Sequence, residues 1–158
     1  GAGAFFFQER PGWHGIIFKV IKFKTMTDER DADGKLLPDE QRLTKVGKFV
    51  RSTSIDELPQ LINVLIGDMS FVGPRPDVPG YADKLEGEDR IVLSIRPGIT
   101  GPASLKYKNE EEILASQNDP KWYNDKIIWP DKVRINKEYI KNWSLKTDIE
   151  YIIKTVTG

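Results

Sequence analysis

The stretch SIDELPQLINVLIG, residues 54–67, contains a strongly periodic run of apolar side chains. Their i, i+3, i+4, i+7 spacing is typical of one buried helix face, and its members are Leu58, Leu61, Ile62 and Leu65. Gly67 is a common stop signal at a helix C-terminus. The pattern therefore predicts a helix that starts near Asp56, ends before Gly67 and packs its apolar side against a core.

Two adjacent carboxylates, Asp56 and Glu57, lie at the predicted start of this helix. Pro59 supports that start, because proline is tolerated in a first turn, where the backbone N–H has no helical acceptor. Ser54 and Glu57 also have the S-x-x-E spacing of a capping box. Backbone N–H groups and the positive end of the helix dipole would then hold both acids ionised. On the residues alone, the pair is either a helix cap or a reactive pair.

Extended structure is predicted ahead of this helix. Residues 4–26 alternate aromatic and β-branched side chains around Pro11 and Gly12, which is typical of a β-hairpin or of a pair of extended segments. Residues 28–41 are charged and interrupted by glycine and proline, which predicts a mobile surface loop with solvated acids.

The chain after the helix predicts turns and further helices. Residues 73–76 (GPRP) and 96–101 (RPGITG) are rigid turns that each carry an arginine, and a short helix is predicted between them over 81–93. Residues 107–126 indicate polar helix and loop. A last helix from about Asp148 carries an apolar stripe, which predicts a core contact with a membrane contact as the alternative. The stripe, with the tryptophan that precedes it, comprises Trp143, Ile149, Ile152, Ile153 and Val156. Together these elements predict a compact, helix-rich α+β domain with a small hairpin or sheet.

The composition excludes several kinds of site. The 158 residues are expected to form one domain, and 24 basic and 24 acidic side chains cancel, which argues against a nonspecific nucleic-acid binder. The absence of cysteine excludes disulfides, thiolate catalysis and zinc–cysteine sites. His14 is the single histidine and has no nucleophile motif near it. Carboxylates remain as metal ligands, and they suit Mg²⁺, with Mn²⁺ as the alternative.

Arginines beside stiff turns indicate how phosphate could be bound. The common nucleotide-binding loops G-x-x-x-x-G-K-[ST] and G-x-G-x-x-G are absent from the sequence. Arg51, Arg75 and Arg96 each lie in or next to a rigid element, and a fixed guanidinium suits bidentate phosphate binding. Lys22 and Lys24 could join them. The alternative for each is an exposed charge or a structural ion pair.

The order of these motifs closely resembles that of the bacterial sugar transferase family. Its members are monotopic phosphoglycosyl transferases, which begin glycan assembly on a polyprenol phosphate carrier. The motifs are FFFQERPG (5–12), FKVIKFKTM (18–26), VRSTSIDELPQLINVLIGDMSFVGPRP (50–76) and RPGITG (96–101). The likeness is strong over residues 4–106 and looser towards the C-terminus.

The resemblance implies a reaction and assigns residues to it. A nucleoside diphosphate sugar, generally a UDP-sugar, gives its sugar phosphate to polyprenol phosphate and UMP is released, as the first membrane step of capsule, exopolysaccharide, O-antigen or glycoprotein assembly. Asp56 would be the nucleophile, form a covalent phosphosugar intermediate and contact Mg²⁺. Glu57 would assist proton handling or position the acceptor phosphate. Arg51 and Arg75 would act at the Asp56–Glu57 pair, which we call the dyad, and Arg96 would act on the donor phosphate. The implied phosphate-binding set is Lys22, Arg51, Arg75 and Arg96.

The family also implies a membrane location. Its members carry a hydrophobic re-entrant helix upstream of the FFxQ segment, which we expect to be absent from this chain, so that the fragment itself could be soluble. The full-length protein is expected on the cytoplasmic face of the bacterial inner membrane, with an amphipathic surface around Trp143 and Ile149 resting on it. A homodimer through an exposed apolar stripe is a further expectation. The open alternatives are a noncatalytic scaffold or binding module of glycan assembly and a Mg²⁺-dependent nucleotide-sugar hydrolase.

Overall fold

The computed structural model describes residues 3–53 and 55–158, and its first element is a β-hairpin. Strand β1 (Phe5–Pro11) pairs antiparallel with β2 (Ile17–Phe23). A 3₁₀ turn, Trp13–Gly15, joins the two strands. The hairpin predicted around Pro11 and Gly12 is therefore confirmed.

Two short helices follow the hairpin. Residues 28–41 run along the surface as predicted, but they lead into helix α1 (Asp39–Arg42), which the sequence did not indicate. Helix α2 (Lys45–Ser52) begins at Thr44, whose hydroxyl accepts a hydrogen bond of 2.8 Å from the Gly47 N–H. Such a cap satisfies one of the N–H groups that a helix start leaves without an acceptor.

The predicted central helix is shorter than the pattern indicated. A 3₁₀ turn, Ile55–Glu57, precedes helix α3 (Gln60–Leu65), and Gly67 ends the segment with a φ of 92°. The dyad therefore lies one turn ahead of α3, not inside it. The capping box predicted for Ser54 and Glu57 falls on Ser54, which lies outside the described residues.

The prediction of a buried apolar face on this helix is wrong, because its polar side faces the protein. Asn63 has 0% of its surface exposed, whereas Leu65 is 86% exposed. The Asn63 amide donates to the Lys19 carbonyl (2.8 Å) and accepts from the Ile21 N–H (3.1 Å), so it satisfies the outer edge of β2. The exposed apolar residues are Leu58, Leu61, Ile62 and Leu65.

A small parallel sheet joins the two rigid turns. Strand β3 (Ser70–Val72) pairs with β4 (Gly98–Thr100). The chains approach so closely that a Cβ on Gly98 would overlap the Gly73 backbone, which explains why each turn carries glycine there. Between the strands lie two 3₁₀ helices, Ala82–Lys84 and Gly87–Leu93, where the sequence predicted a short helix.

The C-terminal half is helical. Its helices are α4 (Pro102–Lys106), α5 (Glu110–Ala115), α6 (Pro120–Tyr123), a π-helical turn (Asn124–Ile128), α7 (Trp129–Lys141) and α8 (Leu145–Thr157). The polar helix and loop predicted over 107–126 are confirmed. The core includes Val20, Met69, Val72, Leu93, Ile128 and Val133. Eight α-helices and two small sheets within the described residues confirm the α+β class.

Helix α8, like α3, has its polar side towards the protein and its apolar side towards solvent. Its Asp148 accepts hydrogen bonds from the Tyr139 hydroxyl (2.6 Å) and the Trp143 indole N–H (2.9 Å), so the polar side of the helix faces α7. Val156 is 81% exposed, and the predicted core role of the stripe is wrong. The exposed stripe residues are Ile149, Ile152, Ile153 and Val156. In the part of the chain described, no helix combines the length and hydropathy that crossing a bilayer requires.

Candidate active site

The two carboxylates are positioned by the 3₁₀ turn Ile55–Glu57. This turn is closed by a hydrogen bond from the Leu58 N–H to the Ile55 carbonyl (3.1 Å), and it packs against both β2 and α2. The contact with β2 brings the carboxylates next to Lys22. The dyad thus lies between the hairpin and α3, at the end of α3 that faces away from Gly67.

Glu57 is held by two cations. One of its oxygens accepts a 2.7 Å hydrogen bond from Arg75 and lies 3.9 Å from the ammonium of Lys22. The Glu57 side chain is 20% exposed, so these contacts are screened less by water than a surface pair would be. Arg75 is 43% exposed, which leaves part of its guanidinium open to a ligand. Glu57 is therefore oriented, and the cations at the dyad remain accessible.

Asp56 has a different environment from Glu57. Burial, and secondly the neighbouring Glu57 charge, raise the pKa of the Asp56 carboxyl, although Lys22 opposes the rise. The sequence predicted that a helix N-terminus would lower the pKa of Asp56, but this effect does not dominate, because α3 begins only at Gln60. The Asp56 backbone N–H donates to this carboxylate, but none of the described side chains does. The carboxylate therefore keeps acceptor capacity for an incoming group.

The four predicted phosphate-binding side chains do not all meet at the dyad. Lys22 and Arg75 contact Glu57 directly. Arg51 donates to the Thr25 hydroxyl (3.1 Å), and only its charge acts on Asp56.

Arg96 lies at the opposite end of α3 from the dyad. Its Nε donates to the Gly67 carbonyl (2.7 Å), and its guanidinium stacks 4.5 Å from the centre of the Trp13 ring. The described contacts of Arg96 are therefore structural, and its role on the donor phosphate stays a prediction.

A cleft of about 200 Å³ opens beside the dyad. It contains two charged residues that the sequence reasoning missed, Arg10 and Asp77. Burial lowers the pKa of Arg10, and burial raises the pKa of Asp77. Arg10 could have been predicted from the pairing of the two strands. It lies opposite Phe18, and Phe18 and Lys22 are on the same face of β2. The cleft is lined in part by Arg10, Val20, Lys22, Gln60, Arg75 and Asp77.

The metal ligands that the protein offers at the dyad suit a magnesium ion only if a bound substrate supplies further oxygen ligands. The described residues contain no group of three or more histidines and carboxylates that could hold a metal. Mg²⁺ commonly binds one or two carboxylates together with substrate phosphates and water. Asp56 fits that role, since Glu57 is already bound by two cations.

Comparison with known proteins identifies relatives of the whole chain. A family model described as bacterial sugar transferase matches residues 1–158. The chain is 44% identical over 156 residues to the uncharacterized sugar transferase EpsL of Bacillus subtilis, an alignment that covers 99% of this chain and 69% of EpsL.

Two more distant relatives have names that state a reaction. Identity is 35% over 173 residues to the undecaprenyl-phosphate galactose phosphotransferase of Salmonella typhimurium, covering 98% of this chain but 33% of that protein. Identity is 33% over 159 residues to the UDP-glucose:undecaprenyl-phosphate glucose-1-phosphate transferase of Caulobacter vibrioides. This alignment covers 97% of this chain and 55% of that protein. The chain thus spans a third to about half of these two transferases.

Proposed function

This chain belongs to the bacterial sugar transferase family, and we propose that it transfers a sugar phosphate from a UDP-sugar to polyprenol phosphate and releases UMP. The observation that carries the proposal is the Asp56–Glu57 pair, in which Glu57 is bound by Arg75 and Lys22 while Asp56 receives no described side-chain hydrogen bond. The names of the Salmonella and Caulobacter relatives, which state undecaprenyl phosphate as a substrate, support the same reaction class.

The proposed chemistry proceeds in two displacements at one phosphorus atom. An Asp56 carboxylate oxygen attacks the phosphorus that carries the sugar, the bond to the UMP oxygen breaks, and UMP leaves with the bonding electrons. An oxygen of polyprenol phosphate then attacks the same phosphorus and the Asp56 carboxylate is released. Glu57 positions the acceptor phosphate or accepts a proton from it. Such a pathway replaces one difficult transfer with two easier steps.

Cations are needed because an anionic nucleophile meets an anionic diphosphate. Lys22 and Arg75 lie at the dyad, and fixed positive groups there lower the energy of the charge that develops during transfer. Arg51 adds positive potential near Asp56. Mg²⁺, with Mn²⁺ as the alternative, would be held by Asp56 and the donor phosphates and would offset their repulsion.

The lipid acceptor requires access to a membrane, and the two inverted helices provide a surface for it. Helices α3 and α8 both pack against β3, so their exposed sides flank one sheet. We define the apolar face as Leu61, Ile62, Leu65, Ile66, Phe71, Ile149, Ile153 and Val156, all of them exposed. In the full-length protein this face rests on the cytoplasmic leaflet of the bacterial inner membrane, because amphipathic helices bind a bilayer by burying their apolar side.

Intact-mass spectrometry after addition of a UDP-sugar alone tests the proposed intermediate. The chain should gain the mass of one sugar phosphate, Asp56→Asn should gain none, and Asp68→Asn at the other end of α3 serves as the matched control that keeps the adduct. Full UMP release by Asp56→Asn in the presence of polyprenol phosphate refutes the proposal. A scaffold gives neither adduct nor UMP, and a hydrolase turns over donor without lipid.

A further inference from the structure

The cleft beside the dyad contains polar groups that phosphate binding does not need. Asp77 and Gln60 both line it, and Gln60 is buried with only 5% of its surface exposed. Among the described residues, the Asp77 carboxylate receives no hydrogen bond. Asp77 is partly exposed where it lines the cleft, so its oxygens are open to a donor that enters the cleft.

The charges of Lys132, Arg75 and Arg10 act on Asp77, and the first two cations are bound to other acids. Arg10 instead donates to the side-chain oxygen of Gln8 (2.8 Å). Lys132, which is 7% exposed, donates to both oxygens of Glu110 (2.8 and 3.0 Å), and Arg75 donates to Glu57. Their charges act on Asp77, but their described hydrogen bonds go to other residues. The Asp77 oxygens therefore retain their capacity to accept hydrogen bonds from a ligand.

The size and position of the cleft indicate which part of a nucleotide sugar it accommodates. Its volume of about 200 Å³ lies below the range of about 300–1,000 Å³ typical of pockets that enclose a whole small ligand. Lys22 lines the cleft and lies 3.9 Å from Glu57, so the cleft opens next to the reacting centre. In a nucleotide sugar, the group attached to the reacting phosphorus is the sugar. Its hydroxyl groups can donate hydrogen bonds to a carboxylate.

Building on the proposed function, we propose that Asp77, together with Gln60, binds the hydroxyl groups of the donor sugar. Arg10, Lys22 and Arg75 bind the phosphate side of the same cleft. Asp77 is thus a residue for sugar recognition. It is distinct from the two carboxylates of the dyad.

Equilibrium binding separates the sugar contribution from that of the nucleotide. Titration calorimetry uses the full chain carrying Asp56→Asn, which prevents turnover, with and without Asp77→Ala. The ligands are UDP, UDP-glucose, UDP-galactose and the two N-acetylhexosamine analogues. Asp77→Ala should weaken the preferred UDP-sugar about tenfold or more, as the loss of a hydrogen bond to a charged group does. Its affinity for UDP should stay within about twofold.

A control variant and the remaining titration results decide whether Asp77 acts on the sugar. Asp68→Ala, the matched aspartate control, should leave all five affinities unchanged. Equal losses for UDP and UDP-sugar, or no loss for either, overturn the assignment of Asp77, and so does a parent chain that binds no UDP-sugar more tightly than UDP. A parent chain that binds none of the five ligands overturns the proposed function itself and the inference with it.

Discussion

Asn63 decides which side of α3 faces the protein. Its buried amide bonds both the carbonyl and the N–H of the outer β2 edge, at Lys19 and Ile21. These groups would otherwise lack a partner, and each buried unpaired group costs about 1–3 kcal/mol. One polar side chain therefore fixes the helix against the hairpin and holds the dyad turn beside Lys22.

Replacing Asn63 with leucine should destabilise the fold in spite of the gain in hydrophobicity. Asn63→Leu leaves the Lys19 carbonyl and the Ile21 N–H unpaired, so we expect the free energy of unfolding to fall by at least about 2 kcal/mol. Urea denaturation measures the change. The same substitution at the exposed Asn118 should change it by less than about 0.5 kcal/mol. Equal stability of the two variants contradicts the role given to Asn63.

Arg75 should matter for chemistry more than for stability. Removing a group that stabilises transition-state charge costs about 10²–10³ in rate. Arg75→Ala should slow adduct formation by that factor, and Arg75→Lys by less because it keeps the charge but loses the planar fork. Rapid-quench mass spectrometry measures the rate, with Arg30→Ala in the surface segment as the control. An unchanged rate for Arg75→Ala shows that Arg75 only orients Glu57.

The β3–β4 pair depends on glycine at its crossing point. Gly98 lies against the Gly73 backbone with no space for a Cβ. Gly98→Ala should therefore separate the strands and lower the thermal midpoint by several degrees, since a loss of about 1 kcal/mol shifts Tm by roughly 2–4 °C at this chain length. Gly3→Ala, where a Cβ meets open space, should leave Tm unchanged. A Gly98→Ala variant as stable as the parent shows that the crossing can relax.

Helices α4 and α7 are joined through Asp131, which makes their contact sensitive to acid. Hydrogen bonds from Lys106 and then Tyr107 hold the pKa of Asp131 below its ordinary value. The ionised carboxylate therefore stabilises the fold above the unfolded-state pKa of about 3.9, and this stabilisation is lost as pH falls below that value. Between pH 6 and pH 3, the unfolding free energy of the parent should fall more than that of Asp131→Asn. Asp33→Asn should follow the parent, and equal pH slopes for all three chains contradict the link.

Periodicity predicted where most elements lie but not which side of two helices is buried. The positions of the hairpin, the central helix and the last helix can be predicted, because they depend on the spacing of apolar residues that are close in sequence. The burial of α3 and α8 depends on hydrogen bonds of Asn63 and Asp148 with distant groups, and no local pattern contains those partners. The motifs predicted the Asp56–Glu57 pair and Lys22 as site residues, and the structure brings Lys22 next to Glu57. Asp77 was missed, because the cleft that it lines is built from elements far apart in the chain.

The outward apolar sides of α3 and α8 should make the molecule bind lipid. Leu65→Glu combined with Ile153→Glu should reduce co-sedimentation with vesicles of anionic phospholipid at least tenfold, because each charge opposes burial in the interface. Leu36→Glu, an exposed apolar position in the 28–41 segment, should not change it. Binding that survives the double change refutes the membrane assignment. Light scattering would show whether the apolar face pairs two copies instead.

The closeness of the dyad to the apolar face determines how the rate would be controlled. Helix α3 has six residues, so it extends about 9 Å at 1.5 Å per residue, and the dyad turn directly precedes it. A carrier lipid could then present its headgroup without leaving the bilayer. The acceptor would arrive by lateral diffusion in two dimensions while the nucleotide sugar arrives from bulk water. Velocity would follow the mole fraction of carrier, and diluting the bilayer with inert phospholipid would slow turnover at constant total carrier.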